Sequence, residues 1–149
     1  MTGAALPEGQ PVDGKSLVSV FRGGEMESRP IFWHFPAYLQ SYAVTNEQRD
    51  PLFRSRPCSI VRFGDYKLHQ YFEDGGLELY NLTEDIGETT NLAESQPEKT
   101  QQLLKQLENW RAEISAPVPT EKNPKFDAEA EKLAIQDAGK IKKRKKKKS

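Results

Sequence analysis

The sequence predicts an α+β fold: a small antiparallel sheet of three to four strands, covered by one long amphipathic helix and followed by a disordered basic tail. Short runs of alternating apolar and polar residues, separated by glycine-containing turns, occupy residues 59–80 and are typical of strands joined in hairpins. Apolar residues recur at spacings of three and four over residues 95–114, which is typical of a helix with one buried face. Eight of the last ten residues are basic and none is acidic, so mutual repulsion favours disorder there.

The chain before the sheet consists of a lead-in segment, an aromatic strand and a loop. Residues 1–30 are rich in glycine and proline and predict a lead-in loop segment, with a short helix or strand at Leu17–Phe21. The most aromatic segment, Ile31–Tyr38, predicts a short strand that ends at Pro36. The polar residues 41–57 predict a loop.

The central strand of the predicted meander covers residues 66–72. Side chains alternate along a strand, so Tyr66, Leu68 and Phe72 share one face. Gly64-Asp65 before this strand and Asp74-Gly75 after it suit tight turns, because glycine adopts positive φ without steric cost. A meander of this kind has an apolar face that needs a cover.

The helix that supplies the cover is predicted over residues 95–114, after a structured polar loop at 81–93. Four apolar residues share one helix face, and they are Leu103, Leu107, Trp110 and Ile114. We expect Trp110 to be the anchor. Ser95 and Glu98 have the spacing of a capping box, and two prolines, at 117 and 119, end the helix.

Composition indicates a packed region that is small for a chain of 149 residues. The hydrophobic content is 36% and the mean hydropathy is −0.78, with the apolar residues concentrated between Ile31 and Trp110. A packed part of ~80–90 residues is near the lower limit for a self-sufficient core and indicates a subdomain of something larger. The predicted units are the lead-in at 1–30, the sheet and helix at 31–116, a weakly structured linker or helix at 117–139, and the polybasic tail at 140–149.

The net charge of zero conceals two segments of opposite charge. The tail holds eight of the 22 basic residues and none of the 22 acidic ones, so residues 1–139 carry a net charge of −8. Through Lys140–Lys148 the tail could bind polyanions non-specifically, or it could be a solubilising segment without a partner; the sequence leaves both interpretations open. No RNA-binding aromatic platform or helix-turn-helix pattern accompanies it.

The remaining sequence features say little about the cellular compartment of the chain. With Cys58 as its one cysteine, the chain cannot form an intrachain disulfide. No run of residues is long and apolar enough for a transmembrane helix, so we expect no membrane partner. The first fourteen residues lack the basic and apolar regions of a signal peptide, and the localisation of the chain stays open.

Four stretches carry a resemblance to a known family. They are Leu6–Val18, Ile31–Pro36 (IFWHFP), Ile60–Leu68 (IVRFGDYKL) and Glu78–Ala93 (ELYNLTEDIGETTNLA). In this order they resemble the C-terminal part of type I, arylsulfatase-like sulfatases of the alkaline phosphatase superfamily, and the last two stretches together are specific. The resemblance covers roughly residues 5–115 and implies a small sheet with one long helix, docked on a large α/β catalytic domain.

The catalytic half of the family is not recognisable in this sequence. Family members bind calcium and use a formylglycine made from Cys or Ser in C/S-x-P/A-x-R. Cys58 and Arg62 have that spacing, but Ile60 stands at the Pro/Ala position, so we interpret Cys58 as a strand residue. The resemblance therefore implies no catalytic or metal-binding residue here. Calcium and formylglycine would belong to a missing catalytic domain, which is the expected partner in cis or in trans. Intact family members are usually periplasmic, secreted or lysosomal.

His34 is the candidate site residue. In the structural interpretation, its aromatic segment is a short strand whose side chains fill a core. The alternative is a site, and the resemblance implies that His34 would contact the substrate or its leaving group in the intact enzyme. Lys67 and His69, on the other face of the central strand, are expected to be solvated.

Three hypotheses for function follow. The first is the C-terminal subdomain of a sulfatase, a sulfuric ester hydrolase, which is inactive alone and meets sulfated substrate only in the intact enzyme. The second is a small non-catalytic binding protein that attaches to polyanions through its basic tail. The third is a non-catalytic partner that docks on another protein through an exposed sheet face.

Overall fold

Three helices and six strands follow one another in the described part of the chain, which in this computed structural model comprises residue 9 and residues 14–40, 52–121 and 124–146. In chain order they are α1 (Val18–Phe21), β1 (Ile31–Phe35), β2 (Leu39–Gln40), β3 (Phe53–Ser55), β4 (Cys58–Phe63), β5 (Tyr66–Tyr71), β6 (Leu77–Asn81), α2 (Pro97–Glu113) and α3 (Ala128–Lys146). Four strands form one antiparallel sheet in the order β1-β4-β5-β6. The predicted α+β class is confirmed, with the aromatic segment as the fourth strand.

Two glycine turns set the register of the meander. Phe63 of β4 pairs with Tyr66 of β5, which leaves Gly64 and Asp65 as a two-residue loop, and Gly64 has a φ of 60°. Positive φ at the first loop position alone is the pattern of a type II′ turn, whose twist matches that of the strands. In the next turn Gly75 has a φ of 68°.

The segment before the meander contains a ribbon that the sequence analysis missed. β3 lies within the stretch predicted as a loop, and it pairs antiparallel with β2. Strands of two or three residues are too short to show a recognisable alternation of apolar and polar side chains in the sequence. The remainder of the predicted loop, 41–51, lies outside the described residues, as do residues 1–8 and 10–13.

The core is the contact between the sheet and α2. Val61, Leu68 and Leu79 of the sheet are fully buried against Leu103 and Leu107 of the helix. A four-strand sheet needs such a cover, because its apolar face would otherwise meet water.

Trp110 extends this contact to the first strand, as expected of an anchor. Its ring stacks on Phe32 of β1 with 4.7 Å between centroids and 5° between planes. Ile114, predicted on the same helix face, is 51% exposed because α2 ends at Glu113, one residue earlier.

The predicted capping box at the start of α2 is wrong. No described side chain caps the helix, and the hydroxyl of Ser95 instead donates to the carbonyl oxygen of Leu92 at 3.2 Å. Pro97 occupies the first turn, where its missing N–H leaves no intrahelical bond unmade. The hydroxyl of Thr100 donates to the carbonyl oxygen of Gln96 at 2.9 Å, and this bond stabilises the first turn of the helix.

The helix α3 is longer than the sequence predicted. Asp127 caps it, because its Oδ1 accepts from the backbone N–H groups of Glu129 and Ala130 at 3.0 Å each. It continues to Lys146, so residues 140–146 are helical where disorder was expected. Lysine and arginine are good helix formers, and cations are favourable at a helix C-terminus.

A polar cluster at Arg56 connects α3 to the rest of the chain. Arg56 contacts the carboxylate of Glu73, and its Nη2 lies 3.3 Å from Oε1 of Glu131 on α3. The hydroxyl of Tyr38 also donates to Glu73. Partial burial, together with the Glu73 carboxylate, raises the pKa of Tyr38 to about 12, so this hydroxyl stays a donor at neutral pH.

Replacing Leu107 by alanine should lower the free energy of unfolding by about 2–5 kcal/mol, because the substitution leaves a cavity between sheet and helix. Urea denaturation measures the loss. Leu133→Ala on α3 is the matched control, since Leu133 is exposed and its truncation should change stability by less than about 0.5 kcal/mol. Equal effects of the two substitutions would contradict the assignment of the core.

Candidate functional site

The register of the sheet sorts its side chains onto two faces. The helix face lies under α2. The other, which we call the open face, carries eleven side chains: Ile31, Trp33, Phe35, Cys58, Ile60, Arg62, Lys67, His69, Tyr71, Glu78 and Tyr80. The candidate His34 is on the helix face, whereas Cys58 and His69 are on the open face.

Both ring nitrogens of His34 contact polar atoms of the chain itself. Nε2 lies 2.8 Å from the carbonyl oxygen of Pro117, and Nδ1 lies 2.8 Å from the hydroxyl oxygen of Ser59. A carbonyl oxygen can only accept, so Nε2 carries a proton, and in the neutral ring Nδ1 accepts from the hydroxyl. The ring also lies 5.8 Å from that of Phe72.

These contacts place His34 between two distant parts of the chain. Pro117 follows the end of α2, 83 residues from His34, and Ser59 is a fully buried residue of β4. The bonds therefore hold the segment after α2 against the edge of the sheet. A substrate contact at Nε2 would have to replace the carbonyl of Pro117, and the predicted substrate contact of His34 stays a prediction.

Other polar groups are buried on the same side of the sheet. The guanidinium of Arg111 lies 5.4 Å above the ring of Phe72, and burial lowers the pKa of Arg111. Its Nη1 and the side-chain oxygens of Gln70 and Gln106 are buried and have no hydrogen-bond partner within the described residues. Nothing in the sequence pattern singled out these three residues.

On the open face, Glu88 joins two residues of β5. Its Oε1 accepts from Nζ of Lys67 at 2.6 Å, and its Oε2 lies 3.2 Å from Nε2 of His69, although that nitrogen makes no aligned hydrogen bond. The side chain of His69 is only 12% exposed, and the ring of Tyr80 contacts it edge-on. The expectation that Lys67 and His69 are solvated is therefore wrong.

The loop between β6 and α2 brings Glu88 into this position. Asp85 accepts from the backbone N–H groups of Thr89 and Thr90 at 2.8 Å each, and these bonds keep the pKa of the exposed Asp85 carboxyl below its usual value. Glu88 itself has a φ of 54°, a conformation that non-glycine residues seldom adopt. The loop thus folds back over the sheet, which sequence periodicity cannot show.

Burial keeps the ring of His69 neutral. Removal from water lowers its pKa below the ordinary 6.5, and the ammonium of Lys67 lowers it further, against the opposing effect of Glu88 and Glu78. A neutral imidazole in this position packs against aromatic rings rather than acting as a charged group.

A small cavity of about 160 Å³ lies beside this group. Its lining includes Ser55, Arg56, Cys58, His69 and Tyr71. Burial raises the pKa of the Cys58 thiol, so the thiol is protonated at neutral pH and is a poor nucleophile. Cys58 lies in β4, in agreement with its interpretation as a strand residue.

The described residues show neither a metal cluster nor a membrane span. No three histidine, cysteine, aspartate or glutamate side chains come together within them to form a metal site. Among their helices, none is both long and apolar enough to cross a membrane.

Comparison with known proteins relates the chain to the sulfatases. No protein-family model matches the chain. A sulfatase from Formosa agariphila is 35% identical over 132 residues, which cover 78% of this chain and 22% of the relative. The chain is therefore a sulfatase homologue that corresponds to a C-terminal part, as the sequence motifs predicted.

Solved structures show the same fold. A 2-O GAG sulfatase has a TM-score of 0.53 at 24% identity, covering 76% of this chain and 22% of that protein. A protein assigned to the sulfatases, from Bacteroides thetaiotaomicron, has a TM-score of 0.53 at 24% identity, covering 82% and 25%. The chain spans about a quarter or less of the length of each relative.

His34→Ala should lower the free energy of unfolding by about 1–3 kcal/mol, because it leaves the buried hydroxyl of Ser59 and the carbonyl of Pro117 without their partner. A double-mutant cycle with Ser59→Ala measures the coupling by urea denaturation. Strictly additive effects of the two substitutions would contradict the hydrogen bond between them.

The chain should lose stability as the pH falls below about 6.5. Because the pKa of His69 is lower in the folded than in the unfolded state, the unfolded chain binds more protons in this range and folding is disfavoured. The contribution is fully present above the unfolded pKa and declines toward the folded pKa. His69→Gln should flatten this dependence between pH 7.5 and 5.5 in urea denaturation. An unchanged slope would show that His69 does not cause it.

Proposed function

We propose that this chain supplies the C-terminal subdomain of a sulfatase and that the hydrolysis of sulfate esters is carried out by the rest of the enzyme. The observation that carries the proposal is the 35% identity to a sulfatase over 78% of this chain, confined to 22% of that sulfatase. The sheet and helix supply a support for the catalytic part, not a catalytic centre.

The described residues do not fit the groups on which sulfatase chemistry depends. Calcium needs several oxygen ligands, and no group of three candidate metal-binding side chains is present among the residues described. Cys58 sits in a buried strand beside a small cavity and not at a helix start, and its thiol is protonated. Both groups, calcium and formylglycine, are therefore proposed to belong to the catalytic part.

We keep His34 as the residue through which this subdomain meets sulfated substrate. Its Nε2 proton already donates to one oxygen, the carbonyl of Pro117, and a sulfate or hydroxyl oxygen of a substrate could take the same place. In the absence of substrate, the bond to Pro117 would hold the ring in orientation.

The purified chain should show no turnover of an aryl sulfate in the presence of calcium. In a hybrid, the chain replaces the corresponding C-terminal part of the Formosa agariphila sulfatase, and this hybrid should retain sulfatase activity that is lost when the chain is deleted. Metal-dependent turnover by the chain alone would contradict the division of roles, and an unfolded or inactive hybrid would contradict the assignment as a subdomain.

The charge distribution favours a second role, attachment to polyanions through residues 140–149. The tail carries eight positive charges and the remainder a net charge of −8, so a polyanion is attracted to one end and repelled by the body. The pair between Arg56 and Glu131 connects the first half of α3 to the body. This role is compatible with a subdomain of an enzyme.

Deletion of residues 140–149 should abolish retention on heparin, and the full chain should elute with a steep dependence on salt. Lys99→Gln with Lys105→Gln, on α2, is the control, because it removes charge from the body and should leave retention unchanged. Equal retention of the full and the shortened chain would show that the tail has no such partner.

A further inference from the structure

Three apolar side chains on the open face of β1 form an exposed row, which we call the apolar strip. Ile31, Trp33 and Phe35 are 43%, 47% and 40% exposed. They alternate with Phe32 and His34, which point to the helix face, so all three share one face of the strand. β1 is also an edge strand of the sheet, a position that proteins ordinarily protect with charge or cover.

Most of the rest of the sheet is covered within the described residues, and the exposed residue of β4 on the open face is the charged Arg62. The helix face lies under α2. On the open face of β5, Lys67 and His69 lie under Glu88 of the returning loop.

The far edge of the sheet is covered as well. The side chain of Asn91 accepts from the backbone N–H of Leu79 at 3.0 Å and donates to the carbonyl oxygen of Leu77 at 3.2 Å. The backbone N–H of Leu92 donates to the carbonyl oxygen of Leu79 at 2.7 Å. These bonds satisfy backbone groups at the free edge of β6. At the opposite edge, the strand β1 exposes its three apolar side chains.

The comparison with relatives indicates what covers the strip. About three quarters or more of the length of each relative lies outside the region that this chain matches. The core among the described residues is also small, with five fully buried apolar residues shared by sheet and helix. A small core and an apolar strip at one edge are what a subdomain shows when it rests on a larger neighbour.

We infer that the apolar strip of β1 is the surface through which this chain docks on the catalytic part of a sulfatase, with Trp33 at its centre. The inference rests on the proposed function. A tryptophan that becomes buried on docking, flanked by two apolar side chains, is typical of the energetic centre of an interface. A second copy of this chain is the alternative occupant, and it gives a different outcome in the experiment below.

The experiment uses the full chain and the hybrid with the catalytic part of the Formosa agariphila sulfatase. Trp33→Ser is compared with Ile114→Ser, an exposed apolar residue just after α2 and away from the strip. In the chain alone, both substitutions should lower the urea midpoint modestly, since each side chain is about half buried. In the hybrid, Trp33→Ser should speed proteolytic cleavage between the two parts about 30-fold, as expected for loss of an interface hot spot, and Ile114→Ser should not.

Each outcome decides the inference. A folded, active hybrid whose protease resistance is the same with Trp33 and with serine would overturn the strip as the docking surface and leave the proposed function standing. A hybrid that fails to fold or to turn over substrate with the unchanged chain would overturn both. If the chain alone is a dimer that Trp33→Ser dissociates, the occupant is a second copy and the inference is wrong.

Discussion

The structure depends on the contact between the sheet and α2. Leu68 and Leu79 lie on neighbouring strands, and Leu103 and Leu107 lie one helical turn apart, so the four side chains meet in one layer. Without α2, the meander would expose this layer to water and would be marginally stable at best. The stacking of Trp110 on Phe32 brings β1, which enters the sheet from an earlier part of the chain, into the same unit.

This core is also what makes the two faces of the sheet unequal. The helix α2 covers only one face, and the loop after β6 covers part of the other through Glu88. The apolar side of β1 receives neither cover. A domain of this size gains little from burying a second face by itself, whereas a subdomain within a larger enzyme gains an interface there. The relation to sulfatases, confined to a quarter or less of their length, agrees with this arrangement.

The features that could be predicted from sequence are those in which the signal is local. Alternation of side chains predicted β4 to β6, the glycines at 64 and 75 predicted the turns, and the spacing of leucines with Trp110 predicted α2 and its buried face. A capping box was predicted from spacing alone, but Ser95 bonds backward to Leu92 instead.

The features that could not be predicted arise from contacts between distant residues. The burial of His69 depends on a loop carboxylate 19 positions away, and the orientation of His34 depends on a carbonyl 83 positions away. The alternation of side chains placed His69 on the correct face of β5, but it could not show that His69 would be buried. The candidate site followed from the resemblance of IFWHFP to a family motif, whereas its hydrogen bonds follow from the path of the chain after α2.

Native-state hydrogen exchange of the backbone amides tests the central claim most directly. If the contact between the sheet and α2 holds the fold together, amides of β4, β5, β6 and the middle of α2 should exchange with one common free energy of opening, and those of α3 should exchange sooner. Amides of α2 that exchange well before those of the three strands would show that the sheet stands without its helix, and would contradict the account.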